Sequence, residues 1–460
     1  MVEQLNDLMK ALEAGQYNAA PGTLVQGSAL QVEDLSPVME TVTFGDAQIK
    51  LQKMLKVSDA KSTLIQFNRQ LDYGIFGGSA QFEGGIGEED TSDYARAVVP
   101  MAYYSTVRRV TVAANLIGAF DGRKAEDRAA DDAGMKLAGD VEFDSFRGAE
   151  DFSNAGVFDG NPLAVARIPG IRGVGAQIRE SDSIANTQDL MFAEYGSDQS
   201  VILSVNGALT QSFVDDASVK SSMQHGHADK LLLDPISLNQ YNKIAHAKER
   251  IMLAGTAQEA TGANLRAQWT TSGMVSLEAS RFLSGKTRPA RARVGSAAAP
   301  SAVGTSPVNA ASVLPAGTYV YYVTSFNGRG ESVKSADISV TTADGDAGVL
   351  TITNVSGAQY YNVYRSEDGG NAYSAKFIGR VKDSGSSTTV FTDLGNKAPG
   401  SVTGFLLQSD TMEFHQLTPY SRLKLAMNDL SLPEAHFRFL CLAVKQPRKN
   451  VIIDNVSGQL

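Results

Sequence analysis

The segment His-Gly-His-Ala-Asp, residues 225–229, holds the only two histidines that lie close together in the sequence. Imidazole and carboxylate groups are common zinc ligands and common general acids and bases. A metal would need a third ligand, and a spacing of two residues matches no helical metal motif. A solvated loop explains the segment, while a hydrolase that uses His225, His227 and Asp229 stays open as an alternative.

Other residues that could bind a ligand form no complete motif. Gly173-x-Gly175 lacks the third glycine of a dinucleotide-binding fingerprint, and we expect no helix directly after it. The sequence contains no GxxxxGK[ST], HExxH or GxSxG pattern. The acidic residues Glu88, Glu89 and Asp90 could hold a cation, but a solvated turn is the favoured explanation. We therefore predict no cofactor, no bound metal and no enzymatic activity.

Three further features have simple structural explanations. Cys441 is the single cysteine and lies in an apolar run, which predicts a buried core residue. Trp269 is the single tryptophan, and packing in a core or an interface is expected of it. The basic residues 286–293 could touch phosphate, but a plain linker explains them as well.

The composition is typical of a globular protein. Of 460 residues, 43% are hydrophobic and 20% are charged, with a formal net charge of -9 and a pI near 5.2. Such an acidic chain does not suit a dedicated nucleic-acid binder, which usually carries a basic stripe. The length predicts two or three domains. The first residues do not resemble a signal peptide and no apolar run has transmembrane length, so we expect assembly in a cytoplasm and no membrane.

The clearest helical pattern covers residues 123–146. Its apolar side chains recur every four residues and form one stripe, while charged residues cover much of the remaining surface. Gly148 is expected to end this helix. The stripe consists of Ala125, Ala129, Ala133, Leu137 and Val141.

A long projecting hairpin is predicted before this helix. Residues 63–73 and 96–116 have strand character, and they flank the glycine-rich, acidic residues 74–93. An isolated hairpin is at best marginally stable in water, so a neighbour should support it.

The first residues of the chain predict a short amphipathic helix. Leu5, Leu8, Met9 and Leu12 fall at helical spacing, and Gly15 ends the run. This helix has little local core to cover, so we expect it to dock onto something else, such as another subunit.

A small all-β unit interrupts the second half of the chain. Residues 284–312 have the Ala, Ser, Gly and Pro content of a linker, and strands then recur every 8–12 residues up to about residue 400, as in an immunoglobulin-like sandwich. The last segment, residues 401–460, is too short for a core of its own. We expect it to complete the core that the earlier half began, which makes the β unit an insertion.

The order of these parts resembles the major capsid proteins of tailed bacteriophages, which have the Hong Kong 97 fold. Residues 132–148 are similar to the end of the family's spine helix, and residues 270–283 to a strand segment before its final part. The sequences PYSRLKLAM and FRFLCLAVKQPRKNVIIDNV look like the closing helix and strands. The inserted unit resembles immunoglobulin-like or fibronectin-III-like modules.

The resemblance implies an α+β capsid fold in seven segments. These are an N-terminal arm (1–62), an extended loop hairpin (63–107), a peripheral domain with the spine helix (108–153), an axial domain (154–283), a linker (284–312), an inserted sandwich (313–400) and a C-terminal return (401–460). Neither a cleavable leader nor a covalent cross-link is expected.

The resemblance also implies a function as a shell protein of the virion. Copies would assemble as hexamers and pentamers around double-stranded DNA, together with portal and scaffolding proteins and a possible decoration protein. The residues expected at contacts between subunits are Leu5, Leu8, Met9, Leu12, Phe76, Phe82, Ile86, Glu88, Glu89 and Asp90. The alternative is a virion adhesin or tail protein in which the inserted sandwich binds a host surface.

Overall fold

The computed structural model describes residues 44–70, 73–74, 80–87, 89–117, 123–148, 170–182, 200–246, 266–284, 297–327, 330–427 and 429–457. The expected contact residues Leu5, Leu8, Met9, Leu12, Phe76 and Glu88 lie outside these ranges. Among the described residues, no helix combines the length and the apolarity needed to cross a lipid bilayer.

The secondary structure mixes helices with many strands. The helices are α1 Leu51–Met54, α2 Val112–Ile117, α3 Ala125–Arg147, α4 Val174–Ser181, α5 Gln211–Met223 and α6 Pro235–His246. The strands are β1 Lys56–Asp59, β2 Leu64–Gln70, β3 Tyr94–Pro100, β4 Ala102–Thr111, β5 Ile202–Gly207, β6 Lys230–Leu233, β7 Ala267–Thr270, β8 Gly273–Ala279, β9 Ser301–Thr305, β10 Gly317–Asn327, β11 Gly330–Glu331, β12 Ile338–Thr342, β13 Gly348–Thr353, β14 Tyr360–Arg365, β15 Lys376–Lys382, β16 Thr388–Asp393, β17 Val402–Leu407, β18 Met412–Lys424, β19 Ser431–Val444 and β20 Val451–Val456.

The predicted long helix is confirmed as α3. Of the predicted stripe, Ala133, Leu137 and Val141 are buried, whereas Ala125 and Ala129 are only half-buried. Ala130, and not Ala129, continues the buried face. The alanines let the helix lie close to the structure beneath it. The helix ends at Gly148, whose N–H donates to the Asp144 carbonyl at 2.7 Å.

A four-stranded sheet lies under α3, with the order β1-β18-β19-β4. The pair β1 and β18 is parallel, and the other two pairs are antiparallel. The Tyr104 hydroxyl on β4 donates to Asp144 of α3 at 2.5 Å. The Tyr420 hydroxyl on β18 donates to the Ala130 carbonyl at 2.9 Å. These two hydrogen bonds join one face of the sheet to α3, one near each end of the helix.

A six-stranded sheet forms the second layer, with the order β5-β20-β17-β6-β8-β7. The C-terminal strands β17 and β20 lie side by side between β5 and β6, so residues 202–279 from the middle of the sequence and residues 402–456 from its last part build one sheet. Leu51, Val141, Phe405 and Phe414 belong to a single buried cluster that joins the two sheets. The two sheets share this core, so the structure does not mark a boundary between them. The predicted division into a peripheral domain and an axial domain at residues 153 and 154 stays a prediction.

The chain leaves the six-stranded sheet and returns to it at the same end. Ala279 of β8 lies opposite Leu233 in a parallel pair, and Phe405 of β17 lies opposite Leu232 in an antiparallel pair. The end of β8 and the start of β17 are therefore about 10 Å apart, which is two strand spacings. Asn455 holds the returning chain, because its side chain bonds the Ala398 N–H at 2.9 Å and the Asn396 carbonyl at 3.1 Å.

The residues between these points form two packed antiparallel sheets, which we call the inserted sandwich (residues 297–400). One sheet has the order β16-β13-β9, and the other has β11-β10-β14-β15 with β12 also paired to β10. Tyr321, Leu350 and Tyr361 lie in the core between them. A buried ion pair of Arg365 with Asp393, at 2.5 Å, joins β14 to β16.

The strand distribution differs from that of an immunoglobulin domain. An immunoglobulin constant-type domain groups its first, second, fourth and fifth strands in one sheet. Here the strands β9, β13 and β16, which come first, fourth and seventh when the short β11 is left out, share a sheet. The likeness to immunoglobulin modules is therefore limited to a two-sheet sandwich and stays a proposal.

The linker is shorter than the predicted residues 284–312. Ser301–Thr305 forms β9, which pairs with β13. The inward-facing positions of β9 must be small, because a Cβ on Gly304 would lie 2.4 Å from Val340 Cγ2. The inward-facing positions of this strand, Ala302 and Gly304, are therefore small, and its composition resembles that of a linker.

The resemblance implied a helix for the segment PYSRLKLAM, and this prediction is wrong. Pro419–Lys424 continues β18. Tyr420 and Arg422 point toward α3, where Arg422 lies 3.5 Å from Asp127, whereas Leu423 is 55% exposed. Polar and apolar residues alternate here with the period of a strand.

Two local predictions were also wrong. The strand predicted at 96–116 ends at Thr111, and α2 follows. A helix does follow Gly173, since α4 begins at Val174.

Candidate assembly surfaces

The residues His225, His227 and Asp229 lie in a loop after α5 and do not form a metal site. The Asp229 carboxylate accepts the Ser409 N–H at 2.8 Å and the Ser409 hydroxyl at 2.7 Å, so it holds the turn between β17 and β18. His227 Nδ1 lies 3.1 Å from the Ser272 carbonyl. Among the described residues, no group of three His, Cys, Asp or Glu side chains could hold a metal ion.

Cys441 is buried, as predicted. It packs with Val99, Met101 and Ala443 at the base of the hairpin. Burial raises the pKa of its thiol to about 12, so the reactive thiolate is scarce at neutral pH. The side chain acts as a small core residue and not as a nucleophile.

The predicted hairpin is present as the antiparallel pair β2 and β3. Its register runs from Leu64 opposite Pro100 to Gln70 opposite Tyr94. The inner face rests on β19 through Val99, which is 3% exposed. The other end of the ribbon, near Gln70 and Tyr94, is held by Arg69. Its guanidinium donates to the Lys445 carbonyl at 2.7 Å and to the Val444 carbonyl at 3.0 Å.

The far end of the hairpin carries apolar side chains that its own subunit does not cover. Tyr73, Phe82 and Ile86 are 90%, 94% and 92% exposed. Phe82 begins a tight turn in which the Gly85 N–H donates to the Phe82 carbonyl at 2.8 Å. Of the predicted contact residues, Glu89 and Asp90 are exposed in the same segment. Their role at a subunit contact stays a prediction.

One face of the four-stranded sheet is covered by the hairpin at Cys441 and Ala443 of β19. The rest of that face has no covering element among the described residues, and we call it the open sheet face. Val107 lies opposite Ala435, which in turn lies opposite Leu423, so these three side chains form a row across β4, β19 and β18. Val107 and Leu423 are 58% and 55% exposed. Tyr103 continues the face and packs edge-on against Phe439, with 5.0 Å between ring centroids.

Sequence reasoning missed the open sheet face, although the alternation of β4 contains its signal. Successive side chains of a strand point to opposite faces. Tyr104 on one face contacts α3, whereas Tyr103 and Val107 on the other are exposed. Identifying the face also requires knowing that β19 lies between β4 and β18, which the sequence does not state.

A buried carboxylate anchors the chain that leads into β1. Glu142 of α3 is fully buried and accepts the N–H groups of Lys50, Leu51 and Gln52 at 2.9, 2.7 and 3.1 Å. These donors are the unpaired N–H groups at the start of α1. A single side chain therefore fixes residues 50–52 against α3.

Phe44 strengthens this anchor. Its ring lies over Gly139 of α3, where a Cβ atom would be only 2.4 Å from the ring. It also packs edge-on against Phe282, with 5.6 Å between ring centroids. Only glycine allows the arm to lie this close to the helix.

These features can support association between molecules. Large apolar side chains are clustered on the hairpin and on the open sheet face, and such clusters on a protein surface usually mark sites of contact with other molecules.

The chain is similar in its course to several solved shell proteins. It aligns with the capsid protein of a native GTA particle at 10% identity, over 96% of this chain and 100% of that one, with a TM-score of 0.47. With the capsid protein of cyanophage P-SCSP1u the identity is 12%, the coverage 97% and 98%, and the TM-score 0.46. With the SrpI encapsulin of Synechococcus elongatus PCC 7942 the identity is 9%, the alignment covers 92% of this chain and 93% of that one, and the TM-score is 0.39. No protein-family model and no curated protein matches the sequence.

Proposed function

We propose that this chain is the major capsid protein of a tailed bacteriophage. The observation that carries the proposal is the set of apolar side chains between the two strands of the hairpin, where Tyr73, Phe82 and Ile86 are at least 90% exposed. The strands themselves are supported by β19 of the same subunit, whereas these three side chains are left uncovered. Neighbouring copies that cover these side chains would stabilise the hairpin and would be held together by the same contact.

In this proposal the copies form hexamers and pentamers that close into an icosahedral shell. Rings of identical subunits use heterologous contacts, in which each subunit presents different surfaces to its two neighbours. The hairpin and the open sheet face provide two different surfaces. Each subunit makes several contacts, so modest pairwise affinities combine into a stable shell.

The remaining partners follow from the same proposal. The shell would enclose double-stranded DNA without specific binding, which agrees with a net charge of -9. Portal and scaffolding proteins would take part in assembly in the host cytoplasm, and a decoration protein could bind the finished virion. The chain has no catalytic role in this proposal.

Expression of the full chain tests the proposal, with and without a scaffolding protein. We expect closed particles of uniform diameter by electron microscopy, and a sedimentation coefficient far above that of a monomer. A protein that stays monomeric at every concentration and ionic strength, under both conditions, would contradict it.

We predict that deleting residues 297–400 leaves assembly intact. The inserted sandwich has its own core, and β8 and β17, the strands before and after it in the sequence, end and begin about 10 Å apart in the six-stranded sheet. The twelve residues 285–296 would remain to bridge this gap, and at about 3.3 Å per residue they are long enough. Electron microscopy should show particles of unchanged diameter with less mass on one surface.

The same deletion separates the proposal from its alternative. A virion adhesin or tail protein would use the sandwich as its working part, and exposed side chains such as Tyr373 and Val308 could then bind a host surface. That function predicts no shells from the full chain and loss of host-cell binding on deletion. Misfolding of the deleted protein, seen as loss of its cooperative thermal transition, would contradict the independence of the sandwich.

A further inference from the structure

Trp269 lies on an edge strand and is largely exposed. It belongs to β7, the last strand of the six-stranded sheet, and lies directly opposite Met274 of β8. The two side chains are 78% and 58% exposed. Packing in a core is therefore excluded for this residue, and contact with another molecule is the expectation that remains.

The neighbouring residue shows which face of the sheet Trp269 occupies. Gln268 points toward the helices α5 and α6, because its amide donates to Asp215 at 3.0 Å and its carbonyl oxygen accepts from Tyr241. Val275, next to Met274, is fully buried. Alternation along a strand places Trp269 and Met274 on the opposite face. Farther along that face, Lys230 pairs with Glu278 at 3.5 Å.

The size of this surface limits what can bind it. A tryptophan and a methionine exposed to this degree present roughly 300 Å² together, since an aromatic side chain offers about 150–250 Å². A stable complex between free proteins needs about 800 Å² from each partner. The surface is too small to recruit a separate protein from solution, but it suits a partner that other contacts already hold in place.

We infer that Trp269 and Met274 form a contact with a second copy of this chain, as an anchor at the six-stranded sheet. The inference rests on the proposed shell, in which neighbouring copies are already held nearby by the hairpin and the open sheet face. Tryptophan is among the residues most enriched at the energetic centres of interfaces. The Lys230–Glu278 pair beside it carries both signs of charge, so two acidic copies can approach here with little net repulsion.

The sole tryptophan provides a direct test in the unmodified protein. Trp269 fluorescence is recorded during assembly of the full chain, with light scattering as the independent measure of particle formation. Before assembly we expect the red-shifted emission and easy acrylamide quenching of an exposed indole. Afterwards we expect a blue shift and a several-fold lower quenching constant. Particles in which the emission and the quenching stay unchanged would overturn this inference and leave the shell proposal standing.

Two other outcomes would also overturn the inference. If the wild-type chain forms no particles, the shell proposal fails and the inferred contact fails with it. If the emission shifts only when a different protein is added to finished particles, the surface belongs to that protein.

Substitution gives a second readout. The double variant Trp269→Ser, Met274→Ser should need about tenfold or more protein to assemble, the effect expected from truncating an interface anchor. The matched control is Val219→Ser, Met223→Ser, which removes two exposed side chains from α5, where exposures are 43% and 49%. The control should assemble like wild type. Equal concentration requirements for the two double variants would contradict the inference.

Discussion

The triple variant Tyr73→Ser, Phe82→Ser, Ile86→Ser is expected to abolish particle formation without weakening the folded subunit. The three side chains are at least 90% exposed, so their loss removes little packing within the subunit. Burial of each one by a neighbour would contribute about 1.5–3 kcal/mol, or roughly 5–9 kcal/mol per hairpin. The protein concentration needed for assembly should rise at least about a thousandfold. Light scattering and electron microscopy measure assembly, and circular dichroism melting measures the subunit.

A matched control uses the inserted sandwich. Val308, Val333 and Tyr373 are 85%, 65% and 93% exposed, so changing all three to serine removes a similar number of exposed apolar groups. This variant should form particles at the wild-type concentration. Normal assembly of the hairpin variant, or equal failure of both variants, would show that the hairpin side chains are not a specific contact.

Sequence reasoning succeeded where the local pattern agrees with the final environment. The helix α3 was predicted from the spacing of its apolar residues, and Ala133, Leu137 and Val141 of the predicted stripe are buried because that spacing is defined within one segment. Most strands of the inserted sandwich were predicted for a similar reason, since turn residues separate short runs of alternating character. The strand β9 was missed, because it lies in the predicted linker. Their assignment to two sheets depends on contacts between distant segments, and the immunoglobulin arrangement expected from spacing alone is not the one observed.

Residues 419–427 were wrongly expected to form a helix, because the resemblance to the capsid family was given more weight than the strand-like alternation of the sequence. The resemblance implied a closing helix, although Arg422, Leu423 and Lys424 alternate as in a strand. Lys424 lies 2.7 Å from Glu126 at the start of α3, so the polar face is explained by the helix above it. The alternation of polar and apolar residues predicts this strand correctly, whereas the order of segments in the capsid family does not.

The candidate surfaces were predictable in part. Exposure of the apolar hairpin residues Phe82 and Ile86 follows from placing them at the tip of a ribbon. The open sheet face and the Trp269 surface could not be located in advance, because each depends on which face of a sheet a helix covers. That choice is made by side chains such as Tyr420 and Gln268, whose partners lie far away in the sequence.

Glu142 is the site where a single substitution should have the largest effect on the subunit itself. Its carboxylate accepts three backbone N–H groups from residues 50–52 and also lies 3.2 Å from the Gln52 side-chain amide. Hydrogen bonds to a charged acceptor contribute about 1.5–3 kcal/mol each, and a buried N–H left without an acceptor costs about 1–3 kcal/mol. Gln52 in turn accepts from Arg438 of β19 at 2.7 Å, so residues 50–52, the helix α3 and the four-stranded sheet meet near this carboxylate.

We expect Glu142→Ala to destabilise the contact between residues 44–55 and α3 by about 3–5 kcal/mol, so that these residues detach from the helix. Hydrogen exchange of the Lys50, Leu51 and Gln52 amides should accelerate by two to three orders of magnitude, since each 1.4 kcal/mol is tenfold. The control Asp132→Ala removes an exposed carboxylate from the same helix and should leave these amides protected. Because β1 joins the sheet just after this anchor and the hairpin follows, the released arm would also misplace the hairpin, and assembly should fail. Unchanged protection of the three amides would show that packing of Leu51 and Phe44, and not the carboxylate, holds the arm.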